Sequence, residues 1–310
     1  MTARKIRTAA IVLLTVAGMT LLSGCWDNHE LDAMFIVTGV GLDETSTRPD
    51  QMDITLQVGE TKQGSAGSGE ANTQEDSSLL MNVTSDTVLS GVMKLNQESS
   101  HKLLLNHNQV LLLGSSLAEQ GVENRLDMFL RDQQARMEVP VMVVDGRAED
   151  VLSVQPDQDK ISGIFLSRML NDLAGISKKY QVRMLDFVSC LLDGTSSPIA
   201  PMITVAEEEG KQKIELSGMA VFKGDRMIGQ LDRDEVDGYI WSMGPAKRAI
   251  VEAGGKSGKA VFRIAKMNCR RKVTLRRDGG VNVSLSVVAD LNVNELSGFD
   301  NMTIQEVMPV

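Results

Sequence analysis

The stretch QVLLLGSSLAEQGVENRLDMFLRDQQARMEVPVMVVD, residues 109–145, decides the fold class. It opens on a short continuous apolar run, Val110 to Leu113, as a central strand buried on both faces requires. Ser116 and Glu119 stand three residues apart, the spacing of a capping box. Ala118, Val122, Leu126 and Phe129 line one face of the helix that such a box opens. VPVMVVD, 139–145, then returns to strand. Strand, helix and strand in succession point to an α+β or α/β domain.

The pattern extends both ways. Upstream, FIVTGVGLD (35–43) reads as a strand with two glycines inside it. MDITLQV (52–58) alternates Met52, Ile54, Leu56 and Val58 with polar residues, the signature of a half-buried strand. KQGSAGSGEANTQEDSS (62–78) holds no large apolar residue and is expected to be a mobile loop. After it, Val88, Val92 and Leu95 share a helical face. Downstream, one helix is expected to carry Ile161, Phe165, Met169 and Leu173 on its apolar face, and another Leu185, Val188 and Leu192. Gly, Ser and Pro cluster in DGTSSPIAP (193–201), so a boundary is expected near 198.

Beyond it the pattern changes to hairpins. ELSGMAVFKGDRMIGQL (215–231) reads as two strands about a Lys223-Gly224-Asp225 turn, and Asp232 with Glu235 caps a helix carrying Val236, Tyr239, Ile240 and Met243. Val281 to Val293 alternate apolar and polar residues as a long amphipathic strand, with RRDGGV supplying the turn before it. Such a strand needs partners and a covering layer, and few residues follow it, so the last domain is expected to be incomplete. The expected fold is α+β, mixed sheets flanked by helices in two to three domains. Residues 25–198 form the first, and 199–310 hold a small middle domain to about 265 and the start of a third.

Residues 1–24 are read apart from the fold. Arg4, Lys5 and Arg7 precede an apolar run from Ala9 to Leu22, then the small residues Ser23 and Gly24, which is the layout of a secretory signal. The run falls short of the roughly 20 residues a membrane-spanning helix needs. With Cys25 directly after Leu-Ser-Gly, the site resembles a bacterial lipobox. That resemblance implies cleavage before Cys25 and a diacylglycerol on its thiol, with an N-acyl chain if the new amino terminus is acylated too. The mature chain then holds 29 basic and 41 acidic residues, a net −12. Such acidity argues against nucleic-acid binding and against general adsorption to anionic lipid, leaving the acyl group as the anchor.

VTGVGLD contains G-x-G without the third glycine of a dinucleotide loop, and AGGKSGK (253–259) has Ile250 where a phosphate loop needs glycine. His29, His101 and His107 lack metal-ligand spacing, and no G-x-S-x-G elbow occurs. Aromatic residues make up only 4%, few for a sugar-stacking groove. Cys190 reads as a small core residue, while Cys269 lies in a cationic setting. No catalytic residue, metal site or cofactor is therefore expected. One charge feature stands out: Arg263, Lys266, Arg270, Arg271, Lys272, Arg276 and Arg277 fall close together. They read as a solvated strand face or, more sharply, as a patch for lipid headgroups or an acidic partner, centred on Arg270, Arg271 and Lys272.

GCWDNHEL resembles the mature start of the Ger(x)C family, the lipoprotein C subunits of spore germinant receptors. Cys25, Trp26, Asp27, Glu30 and Leu31 match that family's Cys-Trp-Asp and Glu-Leu. The likeness continues in FIVTGVGLD, in residues 110–152 and in LSGMAVFKGDRMIGQLDRDEVDGYIWSMG, covering most of 22–295. Family members usually run further than this chain. The resemblance implies a non-catalytic, lipid-anchored subunit at the outer face of the spore inner membrane, beside integral-membrane A and B subunits, acting in nutrient-triggered germination. Trp26 suits the headgroup level and Asp27 the water beyond it, so Trp26, Asp27, Glu30 and Leu31 are candidate membrane or partner contacts. A second reading is a solute-binding lipoprotein that itself captures an amino acid or sugar; the low aromatic count and the hairpin-rich second half weigh against it.

Overall fold

The computed structural model describes residues 7–8, 34–46, 48, 50–60, 77–132, 135–177, 180–244, 250–255 and 258–297. Nine strands form one mixed sheet: β1 (Met34–Glu44), β2 (Met52–Glu60), β3 (Ser77–Ser85), β4 (Lys102–Leu104), β5 (Val110–Gly114), β6 (Val141–Val144), β7 (Ile199–Glu208), β8 (Lys211–Lys223) and β9 (Arg226–Leu231). The spatial order is β3-β2-β1-β5-β6-β7-β8-β9, with β4 beside the start of β1. β1, β5, β6 and β7 run parallel, and the outer strands pair antiparallel.

The central strands explain their own composition. Leu111 and Leu113 of β5 enter one core while Val110 and Leu112 enter another, so a period-2 strand reads as a continuous apolar run. On the first face lie α1 (Val88–Glu98), α2 (Ser115–Gln120), α3 (Glu123–Arg131) and α6 (Met184–Asp193), which contribute Leu95, Leu117, Phe129 and Phe187. Phe187 meets Phe222 edge-on at 5.1 Å between ring centroids. On the second face, α4 (Ala148–Ser153) and α5 (Ser162–Ile176) bury Leu152, Leu166 and Leu170. Each fully buried side chain of this size stabilises the fold by about 1.5–3 kcal/mol before entropy is counted. Mixed sheets with helices on both faces make the class α+β, as expected.

A second, antiparallel sheet follows: β10 (Ile250–Gly255), β11 (Gly258–Leu275) and β12 (Val281–Ser297). Between the sheets sits α7 (Arg233–Met243), opened by the expected capping box of Asp232 and Glu235. Val236 and Ile240 of α7 join Tyr180 and Met219 from the main sheet's side to Ile264 and Met267 of β11 in a third core.

Several expectations need correction. The stretch 116–129 is two helices, because Gly121 takes φ +129 and ends the first; Ser116 makes no cap, since the helix already starts at Ser115. On α6 the buried residues include Met184, Phe187 and Val188, whereas Leu185 and Leu192 are exposed, which rotates the expected stripe. Position 198, where a boundary is expected, directly precedes β7, which pairs in parallel with β6 and so continues the main sheet. The division expected at 265 falls inside the continuous strand β11. The expected loop lies mostly outside the described residues, and its last two residues begin β3. Of AGGKSGK, Ala253 to Gly255 end β10 and Gly258 and Lys259 begin β11, paired antiparallel.

Candidate functional site

Cys25, Trp26, Asp27, Glu30 and Leu31 lie outside the described residues. What the structure fixes is where they lead: β1 begins at Met34, nine residues after Cys25. At about 3.3–3.6 Å per residue, a lipid on Cys25 would hold this end of the sheet within roughly 30 Å of a bilayer. Phe35 stands here, stacked on His101 at 4.4 Å between ring centroids.

The other candidates, Arg270, Arg271 and Lys272, are separated by the pleat of β11. Arg271 points to the same side as α7, where its Nη1 donates to Met243 Sδ at 3.0 Å. It also lies near Tyr239, whose phenol is pushed up by burial and then by the Cys190 thiol, with Arg271 pulling the other way. Arg270 and Lys272 stand on the opposite face. Lys266, Asn268 and Arg270 line a groove there of about 420 Å³ with Ser286, Val288 and Asp290 of β12. The expected single patch is thus divided between two faces, and Arg276, in the turn, pairs with Asp278 at 3.3 Å.

Among the described residues, clefts open on the main sheet. One, of about 310 Å³, opens at the carboxyl ends of β1 and β5, lined by Asp43, Glu44, Gly114, Ser116, Gly146 and Arg147. Its most constrained group is Asp43, only 1% exposed. Asp43 Oδ1 accepts the Ala148 N–H at 2.7 Å and Oδ2 the Glu149 N–H at 3.0 Å, so the carboxylate holds the first turn of α4. Burial pushes its pKa up, against the two N–H donors and Arg147. A Cβ on Gly114 would come within 2.2 Å of Oδ1, so only glycine fits there. Arg147 reaches Asp53 at 3.2 Å and Glu149 at 3.0 Å. The larger cleft, about 590 Å³, lies between the loop after α4, Phe165 and the tip of the β7–β8 hairpin, bridged at its rim by Lys211 and Asp157 at 3.3 Å.

These arrangements position backbone. Asp43 faces donors already spent on α4, and among the described residues no group of three His, Cys, Asp or Glu could hold a metal ion. Cys190 and Cys269 are free thiols. Residue-type patterns missed Asp43, although an acid closing the apolar strand FIVTGVGLD was a readable signal. They missed Gln57 as well: it is fully buried, its Nε2 donates to Leu152 O at 2.9 Å and Ser162 Oγ at 2.8 Å, and its Oε1 accepts the Gly163 N–H at 2.8 Å.

A mixed sheet clasped by helices, followed by a small antiparallel sheet, defines an α+β protein. Two family profiles match it in order: the spore germination protein N-terminal domain over residues 27–205, and the spore germination B3/GerAC-like C-terminal domain over 217–308. The chain belongs to this spore germination family, the Ger(x)C lineage that its sequence resembles. Putative spore germination protein YfkR of Bacillus subtilis (strain 168) is 25% identical over 256 residues, covering 80% of this chain and 65% of that protein. Spore germination proteins KC and B3 of the same strain are 23% and 26% identical, over 83% and 89% of this chain and 67% and 74% of theirs. The chain spans about two thirds of the length of the first relatives it matches. The crystal structure of the GerBC protein aligns over 83% of this chain and 72% of its own, with 19% identity and a TM-score of 0.46.

Proposed function

We propose that the chain is a lipid-anchored, non-catalytic subunit of a spore germinant receptor, held at the outer face of the spore inner membrane through Cys25 and working beside integral-membrane partners. The observation that carries this reading is the order of its parts. A lipobox-like Cys-Trp-Asp start leads into two germination-family domains, with only eight residues between Cys25 and the first strand. A tether that short leaves the folded part at the membrane surface, where it meets the exposed parts of membrane-embedded partners. The donor-saturated cleft at Asp43 supports a role through surfaces. Two chemical signs would accompany it: acylated Cys25 as the mature amino terminus, seen by mass spectrometry, and co-purification with polytopic proteins from detergent-solubilised spore membranes. Cys25→Ala should abolish both, together with membrane retention. Retention of Cys25→Ala in the membrane fraction after signal removal would sink the anchor.

A further inference from the structure

The two buried residues Ile264 and Met267 of β11, 3% and 4% exposed, stand three positions apart on the α7 side, which plain alternation forbids. A register shift between Ile264 and Lys266 resolves this: Ile264 pairs with Leu291 and Lys266 with Asp290, leaving Ala265 as the extra residue of a bulge. The bulge has a second effect. It puts Arg263, opposite Asn292, on the same outer face as Lys266, Arg270 and Lys272. Without the extra residue, Arg263 and Lys266 would point to opposite sides. Four cations thus form one row along the face turned away from α7, interspersed with Ser284 and Ser286 of the neighbouring strand, with Asp290 the acid opposite Lys266. None of the four makes an ion pair within the described residues, whereas the neighbouring Lys259, Arg271 and Arg276 are all engaged.

On a chain this acidic, a row in which four cations outnumber the facing Asp290 and Glu295 is a surface for an anionic one. The geometry points to anionic lipid headgroups as its occupant, and this rests on the proposed anchoring through Cys25. The parallel strands β1, β5, β6 and β7 all start at one end of the main sheet. The tether to Cys25 leaves from that end, at Met34. The ribbon of β11 and β12 is rooted there too: its core includes Ile199, the first residue of β7, and Tyr180, next to the segment whose Val182 carbonyl accepts the Val141 N–H at the start of β6. The flat, linear row meets a planar array of phosphates without any pocket being needed, and its charge is not spent internally. The acyl group then holds the protein at the bilayer while the row orients it.

The test uses the mature chain from residue 25, with and without its acyl group, on vesicles of phosphatidylcholine alone or with phosphatidylglycerol. The acylated chain should float with both vesicle types, and that arm reads the anchor by itself. On the anionic vesicles, amine acetylation mapped by mass spectrometry should fall at Lys266 and Lys272 and stay unchanged at Lys211, on the far hairpin. The unacylated chain should bind the anionic vesicles only, and Lys266→Gln with Arg270→Gln should weaken that binding roughly 25-fold, at about fivefold per cation lost. Equal labelling of Lys266 and Lys272 on both vesicle types, with the protein afloat, would overturn the proposal. So would protection that appears only when solubilised spore-membrane proteins are added, which would assign the row to an acidic protein face. Failure of the acylated chain to float on neutral vesicles would reject the anchor while the unacylated arm still reads the row.

Discussion

Asp43 Oδ1 accepts the backbone N–H of Ala148 at 2.7 Å across 105 residues of chain, and this bond ties the end of β1 to the start of α4. The second oxygen takes the Glu149 N–H, and Gly114 leaves the space the carboxylate occupies. Gly114→Ala should destabilise the protein by about 1–3 kcal/mol through overpacking against that carboxylate. Urea unfolding followed by circular dichroism would measure it, and an unchanged midpoint would mean the strand end yields freely.

The same carboxylate has a pH signature. Its pKa is raised from the ordinary 3.8, chiefly by burial, so ionisation is harder in the folded state than in the unfolded one. Its contribution is therefore fully present below pH 3.8 and is lost as pH rises through the folded value. Relative to Asp43→Asn, the wild type should lose stability as pH is raised from acid to neutral. Thermal melts of both proteins across that range should show the gap moving against the wild type; a gap constant with pH would mean that the pKa is not shifted.

Gln57 satisfies three buried partners, one from the last turn of α4 and two from the first turn of α5. Gln57→Leu should cost about 3 kcal/mol, because those partners lose their hydrogen bonds without gaining water. Equilibrium unfolding of the variant would reveal it, with the loss expected in the midpoint while the m-value stays constant.

Ile240, 3% exposed on α7, belongs to the core shared by the two sheets. Ile240→Ala should lower stability by about 2–5 kcal/mol. Its local effect should be sharper: amide exchange in β11 and β12 should accelerate well before β5 and β6 respond. Uniform acceleration throughout would show that the sheets open as one unit.

The α7 side of the ribbon runs on past α7 and there carries Val281, Val283 and Leu285, on the face of Arg271, at 53%, 56% and 50% exposure. Exposed apolar residues beside the edge of β12, unpaired among the described residues, should promote association of this 310-residue chain. Val283→Lys with Leu285→Lys should shift light-scattering mass toward the monomer at high concentration. The same mass for both proteins would mean the face is not adhesive.

Legibility followed the range of the forces involved. The strands around Leu111, Val143 and Leu291 were readable because period-2 or continuous apolar runs come from burial that each residue experiences alone. The Asp232–Glu235 box was equally local. The apolar stripe of α6 was misread: Met184 and Phe187 face the sheet because the start of the helix is pinned by Met184 N–H to Val139 O and Leu185 N–H to Met137 O. Those contacts span more than forty residues and leave no mark in a helical wheel. Contacts of similar range carry the main sheet past the break that Pro198 and its neighbours suggest, because β7 finds a parallel partner in β6.

The sequence by itself determined the α+β class, the family and the charge of the row, and it carries the lipobox-like stretch before Cys25, since these rest on residue identity and short-range periodicity. Only the tertiary structure decided that Asp43 holds α4, that β7 to β9 extend the first sheet, and that Arg271 parts from Arg270 and Lys272. It also decided that the bulge at Ala265 returns Arg263 to the face of Lys266. A strand shows its pleat in its composition, but an inserted residue is visible only once its partner strand fixes the register.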